Sequence, residues 1–240
     1  PSTFEKIKNL ITVGLFLRLD VIDDDTIMDA SNNKLGGPGL GNGDFISGEY
    51  YTLTDSPVFS DVPSMYWAWS FIERLYNAGI TGGCSTSPLM YCPETSVTRA
   101  QMAIFLLRGE HGSAYNPPDA TGTIFGDVPL GHWAGPWIEQ LAAEGITGGC
   151  GNGNYCPDLP VTRDQMAVFL LRAEHGASYA PPTPTGVFTD VPTDHWAAAW
   201  IEQLAAEGIT GGCGSGIYCP ATIVNRAQMA VFLVRAFNLP

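Results

Sequence analysis

Six cysteines fall in three close pairs, Cys84/Cys92, Cys150/Cys156 and Cys213/Cys219, with seven, five and five residues between partners. Thiols at this spacing either close a short disulfide or supply half of a metal site. The loops inside the second and third pairs, Gly-Asn-Gly-Asn-Tyr and Gly-Ser-Gly-Ile-Tyr, are glycine-rich, so the chain can fold back and bring two sulfurs within bridging distance. Zinc needs further ligands, and two thiols without a nearby third and fourth, in a chain of four histidines, make a poor site. Three disulfides are expected, each restricting the unfolded chain by about 2.5 kcal/mol on loop-entropy grounds. Disulfides persist outside the cytosol, so the expected location is extracellular or at the cell surface.

The remaining reactive side chains do not assemble a catalytic centre. His132 and His195 precede tryptophans, but the matching position earlier in the chain is Tyr66, which suits a structural or groove-lining role. Glu73, Glu139 and Glu202 recur at one helical position, so an acid/base pair would have to form between repeats. No nucleophile elbow, phosphate loop or zinc-helix motif occurs. Asp23, Asp24, Asp25 and Asp29 are weak calcium candidates, because their run lacks the alternating spacing and glycine of a dedicated loop. The expectation is therefore a non-enzyme with no cofactor.

These residues are carried by a threefold repetition. Phe59-Ser-Asp61-Val-Pro, Phe125-Gly-Asp127-Val-Pro and Phe188-Thr-Asp190-Val-Pro each lead to a tryptophan, a helical stretch, a cysteine pair and an arginine-bearing helix start. Trp67, Trp133 and Trp196 lie 66 and 63 residues apart, as do Cys84, Cys150 and Cys213. A unit of this size cannot close its own core, so the copies must bury one another's apolar faces. In the second copy Trp133, Trp137, Ile138 and Leu141 share one face at helical spacing, a stripe read as core, and glycine stops that helix. A second helix follows in each copy. Thr98-Arg99-Ala-Gln101, Thr162-Arg163-Asp-Gln165 and Asn225-Arg226-Ala-Gln228 carry the spacing of a capping box. Their continuation is apolar on nearly all sides, which predicts three helices at the centre. Gly112 and Gly176 end the first two, and stiff proline-rich connectors follow.

Residues 1–58 lack the repeat. Val13, Leu15, Leu17, Leu19 and Val21 alternate like a strand, and 44–53 could be a second; such a pair is marginal alone. Net charge is −13 and only 15% of residues are charged, which argues against a nucleic-acid partner. The most apolar run, Leu10 to Leu19, is interrupted by Thr12, Gly14 and Arg18, so no membrane span is expected. The chain opens on proline with no basic and apolar leader, and reads as a mature product, a proteolytic piece or an excerpt of something longer.

With Phe-x-Asp-Val-Pro, His-Trp-Ala, Gly-Ile-Thr-Gly, Tyr-Cys-Pro and Val-Thr-Arg-x-Gln in order, residues 59 to 237 resemble three tandem S-layer homology modules. The resemblance implies a mainly α fold: three helix–loop–helix repeats in pseudo-threefold arrangement around a central three-helix bundle, with grooves between modules. An N-terminal segment with β-strands accompanies it. Expected bounds are 1–58 for that segment, 59–112, 125–176 and 188–240 for the modules, and 113–124 and 177–187 for the linkers. The family anchors exported proteins to the cell envelope by binding cell-wall polysaccharide or peptidoglycan. Its ligand-contacting arginine falls on Arg99, Arg163 and Arg226, where a guanidinium beside unpaired helix-start donors could receive a carboxylate or phosphate. The competing expectation leaves each arginine a solvated helix-start residue or pairs it with an acidic neighbour such as Asp61, Asp127 or Asp190. Arg99, Arg163, Arg226, Asp61, Asp127, Asp190, Trp67, Trp133 and Trp196 are the groove candidates. An alternative function is a structural subunit that self-assembles into a surface layer or filament, its N-terminal strands completing a neighbouring subunit.

Overall fold

The computed structural model describes residues 16–18, 50–52 and 57–240, which divide between two compact units, Pro1–Ser56 and Pro57–Pro240. In the first unit β1 (Phe16–Arg18) pairs antiparallel with β2 (Tyr50–Thr52), Leu17 opposite Tyr51. β1 falls inside the stretch that alternates in sequence, and β2 inside the second candidate strand, 44–53. The aspartates at 23, 24, 25 and 29 lie outside the described residues.

The second unit is mainly helical. Its six helices are α1 (Trp69–Asn77), α2 (Arg99–His111), α3 (Gly135–Ala143), α4 (Arg163–His175), α5 (Ala198–Ala206) and α6 (Arg226–Ala236). A short hairpin, β3 (Ser85–Thr86) with β4 (Leu89–Met90), forms the first cysteine loop.

The first helix of each copy ends in the same way because its sequence demands it. At the end of α1, Gly79 takes φ 72° and donates to Tyr76 O, while Ile80 N–H reaches back to Leu75 O. That is the Schellman arrangement, and buried Ile80 packs in the same core as buried Leu75. Gly145-Ile146 and Gly208-Ile209 repeat it with Leu141 and Leu204. The Gly-Ile of each Gly-Ile-Thr-Gly motif is thus a helix terminator with an apolar latch.

The second helices, α2, α4 and α6, contact one another, and their buried faces include Met102, Leu106, Met166, Leu170, Met229 and Leu233. The remaining helix contacts cross between copies. α3 packs on α2, α5 on α4, and α1 on α6, so each first helix rests on a second helix from a different copy. Just before the second helices, Val97 N–H donates to Val224 O, Val224 N–H to Val161 O, and Val161 N–H to Val97 O, at 2.9 to 3.0 Å. Three residues from three copies thereby close a loop of hydrogen bonds, and a copy removed from it leaves two buried backbone groups unpaired.

One detail departs from the sequence reading. Thr98 and Asn225 form the expected capping boxes with Gln101 and Gln228. Thr162 does not: its hydroxyl donates to Asp164, whose carboxylate takes the Gln165 N–H at 2.7 Å instead. A charged acceptor one residue away outcompetes the neutral hydroxyl.

Candidate functional site

The Phe-x-Asp-Val-Pro aspartates act first as local clasps. Asp127 accepts the backbone N–H of Tyr155 and of Cys156, both at 2.7 Å, one on each carboxylate oxygen. Asp61 does the same for Tyr91 and Cys92, and Asp190 for Tyr218 and Cys219. Partial burial pushes the Asp190 carboxyl upward, but those backbone donors outweigh it and hold the group below the usual carboxylate range. Each clasp fixes the loop that its disulfide closes. Cys84–Cys92, Cys150–Cys156 and Cys213–Cys219 are all bridged, with Cα separations of 6.0 to 6.1 Å, and no cysteine is free.

The clasped Tyr-Cys-Pro loop then receives the arginine of another copy. Arg99 Nε donates to Tyr155 O at 2.7 Å while the Tyr155 hydroxyl donates back to Arg99 O at 2.7 Å. Arg163 exchanges the same two bonds with Tyr218, and Arg226 with Tyr91. Each guanidinium also lies 4.6 to 4.8 Å from the tyrosine ring centroid, which adds a cation–π attraction. The three arginines are 4 to 5% exposed, and burial lowers their pKa values. Desolvation likewise raises the pKa of all three tyrosines, against the pull of the arginine charge. The first to second, second to third and third to first copies are stapled alike.

This geometry changes the account of the helix starts. The first-turn backbone donors are not open to a ligand: Arg163 N–H and Asp164 N–H bond Thr222 O and Pro220 O, and the other two second helices do likewise. Nor do the arginines form ion pairs with Asp61, Asp127 or Asp190; their Nε partners are backbone carbonyls. Arg99 Nη2, Arg163 Nη2 and Arg226 Nη2 are buried and have no hydrogen-bond partner.

Trp67, Trp133 and Trp196 are not core. They lie just before the first helices and are 59 to 60% exposed. Helical spacing misplaced them because the chain is still in a turn there. His132 and His195 use Nδ1 to accept the N–H of Ala134 and Ala197, at 3.2 Å, and hold their rings against the adjacent indole. In the first copy Tyr66 instead donates to Glu94, and burial with that bond pushes its pKa up to about 12. Trp137 and Trp200 are partly buried and lie under Arg108 and Arg172.

These pieces meet in a groove of 340 Å³ lined by Trp67 of the first copy, Arg163 of the second, and Thr210, Gly211, Gln228 and Arg235 of the third. A neighbouring cavity of 500 Å³ is lined by Arg74, Glu207 and Asn238 among others. Sequence reasoning missed two devices. The tyrosine hydroxyls of Tyr-Cys-Pro are half of each staple, signalled only by the motif's recurrence. Glu139 grips the connector through Thr121 and Gly122 N–H, both at 2.7 Å, and Glu202 grips Thr185 and Gly186.

The S-layer homology domain model matches residues 58–103, 124–167 and 187–230, more than half of the chain. The chain belongs to the S-layer homology domain family. Curated relatives include an uncharacterized cell wall amidase of Bacillus anthracis, 27% identical over 77% of this chain and 33% of that protein. A cellulosome-anchoring protein of Acetivibrio thermocellus is 28% identical over 62% of this chain and 34% of its own length. An S-layer protein of Bacillus anthracis is 31% identical over 52% and 14%. The chain thus spans about a third or less of the curated relatives it matches. Family and relatives place this S-layer homology protein at the cell surface, in keeping with its three disulfides. Among the described residues no helix is long and apolar enough to cross a membrane.

Proposed function

We propose that residues 57–240 are a non-catalytic envelope anchor that binds cell-wall polysaccharide or peptidoglycan in grooves between modules. The modules run over 59–112, 125–176 and 188–240 and stand in pseudo-threefold arrangement around α2, α4 and α6. The observation that carries this reading is the groove in which three copies meet, with the exposed indole of Trp67 and the side chain of Arg163 on its walls. An indole face stacks on the apolar face of a sugar ring, and a guanidinium pairs with an acidic substituent. The amidase and the anchoring protein among the relatives support the same assignment, since their names join this type of repeat to wall chemistry and to attachment.

Calorimetric titration of purified envelope polysaccharide into the chain tests it. Binding heat should disappear in Trp67→Ala, a change at an exposed side chain that leaves the fold intact. Heat that survives Trp67→Ala, or none from the intact chain, would remove this groove from the reading. The S-layer proteins among the relatives support a second reading, assembly into a surface layer. Electron microscopy of the chain beside a version beginning at Ser56 separates the two, because assembly through the N-terminal strands requires the longer form.

A further inference from the structure

The far ends of α2 and α4 carry a cluster that the groove does not use. His111 Nε2 is 3.0 Å from Glu144 Oε1 and 4.0 Å from Glu110 Oε2. His175 Nε2 is 2.9 Å from Glu207 Oε1, with Glu174 completing a second set. In each set one nitrogen and two carboxylate oxygens lie within 4.8 Å of one another. Ligand atoms around a tetrahedral zinc ion stand about 3.3 Å apart, given bonds of about 2.0–2.1 Å, so these spacings need only small side-chain adjustments.

Two further observations point to a ligand. Glu144 Oε2 and Glu207 Oε2 are buried without a hydrogen-bond partner, while the Oε1 of each is held by Gln140 or Gln203. A carboxylate fixed through one oxygen and bare at the other is half of a site. Secondly, the three residues change together. Glu144 and Glu207 stand at the C-caps of α3 and α5, and the same place after α1 is Ala78. At the end of α6, Phe237 and Asn238 replace the Glu-His pair. Two seams keep all three groups and the third keeps none, as expected of side chains that work as a unit.

We propose that Glu110, His111 and Glu144 bind one divalent transition cation of zinc type, and that Glu174, His175 and Glu207 bind a second. Imidazole nitrogen with carboxylate oxygen favours such an ion over calcium or magnesium, and water would complete the shell. Because Glu110 and His111 belong to the first copy and Glu144 to the second, the ion would clip two modules together.

The test is titration of zinc chloride alone into the intact, oxidised chain. The expected stoichiometry is two, falling to one in Glu144→Ala and in Glu207→Ala and to zero in the double variant; alanine already serves there at Ala78. In the unsubstituted protein the ring resonances of His111 and His175 should shift on zinc addition while those of His132 and His195 stay. No saturable uptake would mean a histidine–carboxylate ion pair only and overturn the proposal. An unchanged stoichiometry in the double variant, or shifts confined to His132 and His195, would overturn it equally.

Discussion

At the starts of α2, α4 and α6 the three seams are built alike, whereas at the ends of the same helices two seams agree and the third departs. The starts carry the arginine–tyrosine staples, the valine hydrogen-bond loop and the disulfide-closed loops, repeated with distances that differ by about 0.1 Å. The ends carry the His-Glu clusters at two seams and, at the third, Arg74 donating to Leu239 O. The reason is physical. A closed loop of three copies fails if any one link opens, and each link is buried, so every staple must satisfy the same backbone groups. The helix ends are partly exposed, with side chains 21 to 32% accessible at the His-Glu clusters, and substitution there costs less. Uniformity marks the part that holds the fold; divergence marks the part free to acquire chemistry.

Removing one staple gives the largest expected effect. Arg163→Ala leaves Tyr218 O without its buried donor and deletes a cation–π contact, which should cost roughly 3 kcal/mol. Arg99→Ala and Arg226→Ala should cost nearly the same, and Arg74→Ala, at an exposed helix end, less than about 1 kcal/mol. Urea unfolding of the four variants checks the ranking. Equal losses for Arg74 and Arg163 would break the distinction between the two ends.

A smaller effect sharpens it. Tyr91→Phe, Tyr155→Phe and Tyr218→Phe each delete one hydroxyl donated to an arginine carbonyl, expected at about 1 kcal/mol apiece. The three values should agree within measurement error. A scatter as wide as the mean would show that the seams are not equivalent.

The smallest effect is on acid stability. Glu139 and Glu202 are pushed up by partial burial, but the backbone donors of Thr121–Thr123 and Thr185–Val187 outweigh it and hold their pKa values low. A carboxyl whose folded pKa lies below its unfolded value stabilises the protein above the unfolded value, about 4.3 for glutamate, and loses this as pH falls through the folded one. Glu139→Gln with Glu202→Gln should therefore flatten the acid limb of stability below about pH 5 and leave the tyrosine staples unchanged. An acid limb identical to that of the unsubstituted protein would contradict the clasp.

What the sequence revealed follows the same division. The second helices were legible because a capping residue, a glutamine three positions on and an apolar run agree with one another. Only Asp164, one side chain in the wrong place for the rule, broke the pattern in α4. The disulfides were legible from cysteine spacing, helped in the second and third copies by glycine-rich loops. The arginines were legible as special, but not as staples, because a tyrosine carbonyl 56 residues away leaves no mark near Arg99. The apolar stripe wrongly took in Trp133, since helical periodicity assumes a helix and α3 begins later, whereas as groove candidates Trp67, Trp133 and Trp196 stand exposed. The His-Glu clusters were invisible because Glu110 and His111 meet Glu144 only after α3 docks on α2.

Native-state hydrogen exchange at the amides of Tyr91, Tyr155 and Tyr218 tests the closed three-copy arrangement most directly. Each amide bonds an aspartate within its own copy, yet each copy depends on two staples to the others. In Arg226→Ala, which opens only the link from third copy to first, all three amides should exchange faster by the same factor. Faster exchange at Tyr91 alone, with Tyr155 and Tyr218 unaffected, would show three independent modules and contradict the account.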